Sequence, residues 1–551
     1  MMKRNILVMA AVLASSLSFA QSDTLRAVVN IKSDYTPVTM PVKKINFTPD
    51  AVEYEKRRTP QIQFSESAVP YSDFVSERST KELTHTEKRP YNGYVRAGYG
   101  VVNELDAKAA YNIDITSRDN INAMVSVDGY NRYLDGEFND WKSRLYNTVF
   151  DASYSHRFNS MMLGVDAGLD NMVFNYQDQD ARVNMEHTDR QNSMNYRVSL
   201  KGASLLDGPF SYSFRAGYTH GARKYSSDVK RNINENRIFA EGTLLYSLDN
   251  PDLNDMGVDI DVNAFIYNGA LRNKVNRYND YASINIAPYL DFNIYDWGLR
   301  LGTSMNFVTA NTAVFSIAPD IRLRKNFSDK VLFHASITGG RQDNYFSKLQ
   351  SLTPYWGYDD NVGKQLKPTY RIVDLLVGST FVVEPLLVEM SLGYAYTKDD
   401  LLQTMDVTPN AYLYSNFVQR NTHNAHAFAR VGYDLGGWLK VSGDARYDFW
   451  HCSNKDFLVL KPEVTCNVNA QVRVWGNLTM NAGYNFTYYT RSEKGKRVSA
   501  KNELNFRMAY QFTPRFGAYL QGDNLLNDSY YEYAGYYTRG VRGLLGLTAN
   551  F

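Results

Sequence analysis

From Gly93 to the C-terminus, apolar and polar residues alternate with a period of two. Over 104–114, Leu105, Ala107, Ala109, Tyr111 and Ile113 alternate with Asp106, Lys108 and Asn112. Over 194–202, Met194, Tyr196, Val198, Leu200 and Gly202 alternate with Asn195, Arg197, Ser199 and Lys201. The same rhythm runs through 210–216, 258–264 and 439–449. A period of two sends every apolar member to one face of a strand and every polar member to the other. About 22 such segments succeed one another, from 94–101 to 541–551, with no helix predicted between them. An open sheet of that size would leave two long unpaired edges, so the pattern predicts a closed all-β fold, a transmembrane antiparallel β-barrel.

The connections carry an independent signal. Links after even-numbered segments are mostly short: Phe158-Asn159-Ser160, Glu384-Pro385, Gly436-Gly437 and Thr513-Pro514. Links after odd-numbered ones are mostly long: 131–142, 175–191, 222–236, 340–369, 398–424 and 525–540. Outer-membrane barrels have short periplasmic turns and longer extracellular loops, so an even strand count with both termini periplasmic is expected.

The pattern ends abruptly toward the N-terminus. Residues 1–20 read as a secretory signal peptide, with Lys3 and Arg4 ahead of the apolar run Ile6–Leu17 and with Ser18 and Ala20 as the small residues at the cleavage site. Cleavage between Ala20 and Gln21 is expected, and no Cys follows to take a lipid anchor. Residues 21–92 contain no Gly, whereas all 35 glycines lie from Gly93 onward. This segment is rich in charge and in proline (Pro37, Pro41, Pro49, Pro60, Pro70, Pro90) and shows neither period. It is predicted to be an extended periplasmic or lumenal segment, followed by a barrel over 93–551.

Composition agrees with a chain half in lipid and half in water: 42 Tyr and 28 Phe, but only 2 Cys. Formal net charge is +2, from 60 basic and 58 acidic residues, which excludes a strongly basic nucleic-acid-binding domain. A hairpin turning near Asn454 and Lys455 would pair Cys452 near Phe457 and leave Cys466 about 30 Å away, far beyond disulfide reach. Lumen-facing charges are mixed in sign (Asp106, Lys108, Arg197, Lys201, Arg215, Asp259, Asp261, Arg322, Arg324, Asp444, Arg446), predicting a hydrated wall with local ion pairs. His423 and His426 sit three apart near the start of a strand at 425–435, a spacing that suits a metal on a helix but on a strand sends the two to opposite faces. His334 and Ser336 share one face without a third orienting group, so neither a metal site nor a catalytic or cofactor site is expected. The tyrosine pairs 488–489, 530–531 and 536–537 read as interfacial girdle residues.

The last third of the chain resembles the barrel of the TonB-dependent receptors. Asp523-Asn524-Leu525-Leu526-Asn527-Asp528, Tyr530, Gly535-Tyr536, Gly540 and Leu545-Gly546-Leu547 through Phe551 are similar to the family's closing motif. Gln365-Leu366-Lys367-Pro368 looks like its central signature, and Ile317-Ala318-Pro319-Asp320-Ile321 with Phe333-His334-Ala335-Ser336 matches its general style. The resemblance implies a 22-stranded barrel for solute passage or nutrient uptake. Family members carry a Gly-rich globular plug, and residues 21–92 do not match it; a plug that is lost or supplied by another chain is therefore expected. Asp23, Thr24, Leu25, Val28 and Val29 resemble a TonB box, which adds a strand to a partner's sheet edge, although a plain extended leader has the same appearance. Phe551 resembles the terminal signal read by the barrel-assembly machinery. Expected partners are outer-membrane lipid, that machinery, and TonB or another envelope protein. The alternative function is a non-transporting scaffold barrel that docks envelope partners through 21–92.

Overall fold

A computed structural model describes Tyr91–Phe551, apart from 102, 135–140, 177–189, 206–207, 225–232, 249, 251, 270–278, 310–312, 329, 357–365, 408–412, 437, 459, 490–491 and 494–495. The signal peptide with Ala20 and Gln21, the TonB-box-like residues, and all but the last two residues of 21–92 lie outside the described residues.

Alternation has done what the sequence pattern predicts: 22 antiparallel strands form one sheet. They begin with β1 (Gly93–Gly100), β2 (Glu104–Asp114), β3 (Asp119–Leu134), β4 (Trp141–Arg157), β5 (Met161–Phe174), β6 (Gln191–Ser204), β7 (Phe210–Lys224) and β8 (Ile233–Ser247). Next come β9 (Leu253–Gly269), β10 (Tyr281–Ile294), β11 (Trp297–Thr309), β12 (Ala313–Ser328), β13 (Val331–Gln342), β14 (Thr369–Val383) and β15 (Leu386–Val407). The rest are β16 (Leu413–Leu435), β17 (Leu439–Cys452), β18 (Val464–Trp475), β19 (Leu478–Tyr488), β20 (Lys501–Gln511), β21 (Phe516–Asp523) and β22 (Arg542–Asn550). Each strand pairs with the next, and β22 pairs with β1 through Tyr94↔Asn550 to Gly100↔Leu544, so no barrel edge is left open. The chain ends tie the seam further: the amides of Asn92 and Gly93 both donate to the Phe551 carbonyl.

The two faces sort as the period demands. Val165, Val198, Leu200, Ile284, Leu301, Leu392, Phe449, Leu545 and Leu547 are exposed on the outside, where a bilayer would cover them. Intervening residues face the lumen and neutralise one another locally. Arg96 meets Asp106 at 2.7 Å, Lys201 meets Asp166 at 2.6 Å, and Arg300 meets Asp291 at 2.8 Å. Arg322 meets Asp320 at 2.7 Å, Arg446 meets Asp448 at 2.8 Å, and Arg197 bridges Asp151 and Asp170. The wall thus carries no dominant sign, as its composition predicts.

Three expectations need correction. β15 and β16 run to Val407 and from Leu413, well past 397 and 425, because a register shift near Thr397/Asp400 breaks the alternation without ending the pairing. β18 starts at Val464 rather than 457, since Lys455–Leu458 is a 3-10 turn and Tyr447, not Cys452, opens the pairing opposite Val464. Cys452 and Cys466 are nonetheless both free thiols. Finally, a helix interrupts the strands: α1 (Phe346–Leu352), seven residues long, lies in the β13–β14 connection. Its docking site explains it, as described below.

At the closing seam Tyr519 fills the space left by facing glycines. A Cβ on Gly98 would stand 2.4 Å from the Tyr519 oxygen, and one on Gly546 2.3 Å from its ring. The same hydroxyl donates to Asp106 at 3.0 Å. Gly98→Val should expel the ring and cost about 1–3 kcal/mol, as overpacking does. The check is the temperature at which the folded, heat-modifiable gel band of the purified barrel shifts; an unchanged temperature contradicts this role.

Candidate functional site

At the long-loop end, opposite the described chain termini, two connections turn inward over the lumen. The first leaves β13 through Asp343 and forms α1. Tyr345 precedes the helix and makes no side-chain cap. The cap comes from the barrel wall. The Glu235 carboxylate on β8 accepts the backbone N–H of Phe346 at 2.7 Å and of Ser347 at 3.1 Å, and the Ser347 hydroxyl at 3.0 Å. Orphan amides at a helix start, with the positive end of the helix dipole, make a carboxylate a strong partner. Arg223 on β7 holds the other end: it donates to the Gln350 side-chain oxygen at 3.0 Å, to the Pro354 carbonyl at 3.1 Å and to the Tyr176 hydroxyl. Its guanidinium also lies 4.4 Å from the Trp356 ring centroid and 4.9 Å from that of Phe174.

Aromatic packing completes the seat. Phe346 stacks on Trp356 and meets Tyr267 edge-on, while Tyr345 lies against Phe265 and Tyr355 meets Phe174 edge-on. These rings join Tyr130, Leu134, Ile233, Tyr281 and Val308 in a single buried cluster. The loop therefore starts on β13 and reaches β5 and β7, eight and six strands round the wall, so it crosses the mouth instead of lying along its own strands. Beyond α1, the Ser415 amide on β16 donates to the Tyr355 carbonyl at 2.9 Å, and Lys367 exchanges hydrogen bonds with Gln419. The Leu366-Lys367-Pro368 stretch thus anchors the loop where it rejoins the wall, and the Lys367 carbonyl also accepts from Asn344 at 2.8 Å.

The second connection runs from β21 to β22, and the closing-motif residues shape it. Asn524 and Asn527 take positive φ (48° and 52°), which asparagine tolerates, and Gly535 and Gly540 do the same at 80° and 69°. The Asn524 side chain exchanges two bonds with the Asp528 backbone, and Asp528 in turn receives the Asn502 amide at 2.9 Å. This turn delivers Tyr536 onto Tyr355, stacked at 3.6 Å between centroids and 6° between planes. Arg539 is held by Glu104 at 3.2 Å and lies over the Tyr130 ring. Tyr536 is buried in this contact, and Tyr530 is buried beneath Lys501, rather than either being placed in a membrane girdle. Sequence reading missed Glu235, Arg223 and the aromatic seat, and Glu235, set among Asn234, Asn236 and Arg237, gives no local signal of its role.

The remaining predicted positions stay apart from the mouth. His423 and His426 lie within β16, not ahead of it, and face opposite sides as a strand requires. His426 is buried toward the lumen beside Asn424, while His423 stacks on Tyr396 outside. Among the described residues no group of three His, Cys, Asp or Glu side chains is placed to hold a metal. His334 and Ser336 share the lumen face of β13, with no hydrogen bond between them among the described residues. Phe551 stacks on Tyr111 at 5.8 Å, and its ring covers Gly93.

The closed antiparallel barrel of 22 strands has solved counterparts. The FrpB iron transporter from Neisseria meningitidis superposes with a TM-score of 0.66 at 11% identity, covering 86% of this chain and 83% of that one. The shared feature is the fold, a closed 22-stranded antiparallel barrel. The copper transporter OprC (TM-score 0.62, 12% identity, 83% of this chain and 80% of that one) superposes in the same way. So does the ferric-catecholate import receptor Fiu from E. coli K12 (0.61, 10%, 84% and 82%). No protein-family model matches the chain, and no curated protein matches it in sequence. The receptor-type barrel is thus a likeness of fold, and it is an outer-membrane fold.

Two outcomes follow for the mouth. Glu235→Ala leaves the α1 amides without their acceptor and should weaken loop docking by about 1–3 kcal/mol. Hydrogen exchange should then accelerate at 346–352 while the amides of β8 stay protected; equal protection in parent and variant contradicts the latch. Lys348 on α1 is pushed down from 10.5 to about 8 by burial, partly offset by Asp343 and Asp400. Below pH 8 the docked loop carries the full cost of a buried ammonium. Between 8 and 10.5 the undocked loop binds the extra proton, so docking should tighten as pH rises through that window. Fluorine NMR of fluorotryptophan-labelled protein, with the Trp356 line assigned by Trp356→Phe, reads the population; tightening toward lower pH would refute the assignment.

Proposed function

We propose that this chain is an outer-membrane barrel for solute uptake, closed at its outer mouth by its own in-folded loops. The observation that carries this reading is the Tyr355–Tyr536 stack, where a loop from β13 meets a loop from β21 over the lumen. Any wide, hydrated tube must be sealed, but a seal made by a loop held through a few polar contacts, carrying the buried Lys348, suits a passage that opens. In this reading the termini are periplasmic and the long loops extracellular. Ala20–Gln21 is the cleavage site, and Phe551 is the residue read by the barrel-assembly machinery. Residues 21–92 act at the periplasmic side in place of a plug, or dock a partner that supplies one. Asp23, Thr24, Leu25, Val28 and Val29 would offer TonB an extended segment. The mixed charges of the wall suit a polar solute better than a single ionic species.

Planar-bilayer conductance separates this from the scaffold reading. The parent is expected to be silent or to open rarely. Glu235→Ala with Tyr355→Ala, combined with removal of 21–92 behind an intact signal peptide, should give large, stable conductance steps. A combined variant that folds, inserts and stays silent would sink the uptake reading and leave the scaffold.

A further inference from the structure

The wall beneath α1 treats the loop as a bound ligand. It grips backbone, two amides held by Glu235 and one carbonyl held by Arg223, together with the Ser347 hydroxyl and the Gln350 side-chain oxygen. The side chains it receives are aromatic, seated among Phe174, Phe265, Tyr267 and Tyr281. Glu235 and Arg223 are each 2% exposed, and both find partners on the loop, Arg223 also donating to the Tyr176 hydroxyl outside it. A buried carboxylate and a buried guanidinium are expensive without partners, and here the loop supplies partners to both.

We infer that this wall is a docking shelf for aromatic peptide segments, and that the chain's own Tyr345–Trp356 occupies it as an internal competitor. This rests on the uptake reading only for its biological use; the shelf itself is a binding property. Any occupant must offer what the loop offers: paired N–H donors for Glu235, a carbonyl for Arg223 and rings between them. A peptide with closely spaced aromatic residues does so along one backbone. A loop tethered at both ends acts at an effective concentration on the order of millimolar, so a free peptide competes poorly until the loop is displaced. Where the loop leaves β13, the Nε and one terminal nitrogen of Arg341 and one oxygen of Asp343 are buried without a hydrogen-bond partner, and unmet polar atoms of this kind are costly.

The probe is the loop's own sequence, a blocked synthetic peptide of Tyr345–Trp356, tested by fluorescence anisotropy on detergent-solubilised full-length protein. The first host has residues 345–356 replaced one for one by Gly and Ser, with folding checked by its heat-modifiable band. It should bind the peptide, and binding should weaken about tenfold or more when Arg223→Ala and Glu235→Gln are added. Equal binding of a scrambled peptide, or none by the folded host, overturns the proposal. The second host keeps the loop. A Cβ on Gly221 would lie 2.6 Å from the Ser347 hydroxyl, so Gly221→Cys with Ser347→Cys can lock the loop down, in a background of Cys452→Ala and Cys466→Ala. Peptide at millimolar concentration should bind the reduced form and not the oxidised form; equal signals also overturn the proposal. A barrel that binds the peptide yet never conducts would leave the shelf standing and remove the uptake reading.

Discussion

Everything in this molecule follows from the demand that backbone N–H and C=O groups be satisfied where no water is available. In hydrocarbon an unpaired group costs several kcal/mol, and a sheet meets the demand only by closing on itself. The pairing of β22 with β1 is therefore the interaction on which the rest depends. Once the ring is closed, period-two alternation assigns every second side chain to lipid and the others to a lumen. The lumen residues must then find partners in one another. Arg197 between Asp170 on the neighbouring strand and Asp151 one strand further, or Arg446 on Asp448 of its own strand, shows how they do so locally.

A tube of this size raises a second problem, which the long-loop end addresses from within. The β13–β14 loop and the β21–β22 loop bury aromatic rings against the inner wall instead of leaving them to solvent. Each ring contributes through burial and through edge-on or offset contacts worth about 0.5–1.5 kcal/mol beyond area. Glu235 and Arg223 give those rings direction, fixing where α1 begins and where Trp356 ends. Opposed to this is Lys348, whose ammonium is carried into the docked state against its preference for water. The docked loop is thus a balance, and a balance can be tipped.

The barrel was legible in the sequence because its signal is local. A strand from Leu439 declares itself in Leu439-Lys440-Val441-Ser442-Gly443-Asp444, and the structure needs no distant residue to make it a strand. The mouth was not legible, because its signal is distributed. Phe346, Ser347 and Gln350 form a seven-residue helix too short to show a period, and its cap comes from Glu235, 111 residues earlier. Tyr530 and Tyr536 sit in a composition that suits a girdle equally well; only the turn set by Asn524, Asn527 and Gly535 sends them inward. The long β15–β16 hairpin escaped for a similar reason, since the irregularity at Asp399 (φ 53°) resembles a strand end when read alone.

The reach of the inner loop has a consequence for how the protein is made. The Tyr176 hydroxyl meets the Trp356 carbonyl across 180 residues of chain, and Tyr519 meets Asp106 across 413. Contacts of such separation form late, after the wall that presents them exists. The newly assembled cylinder must then pass through a stage in which this mouth stands open. For that interval the long-loop end has no cover of its own, and α1 is the part that supplies it.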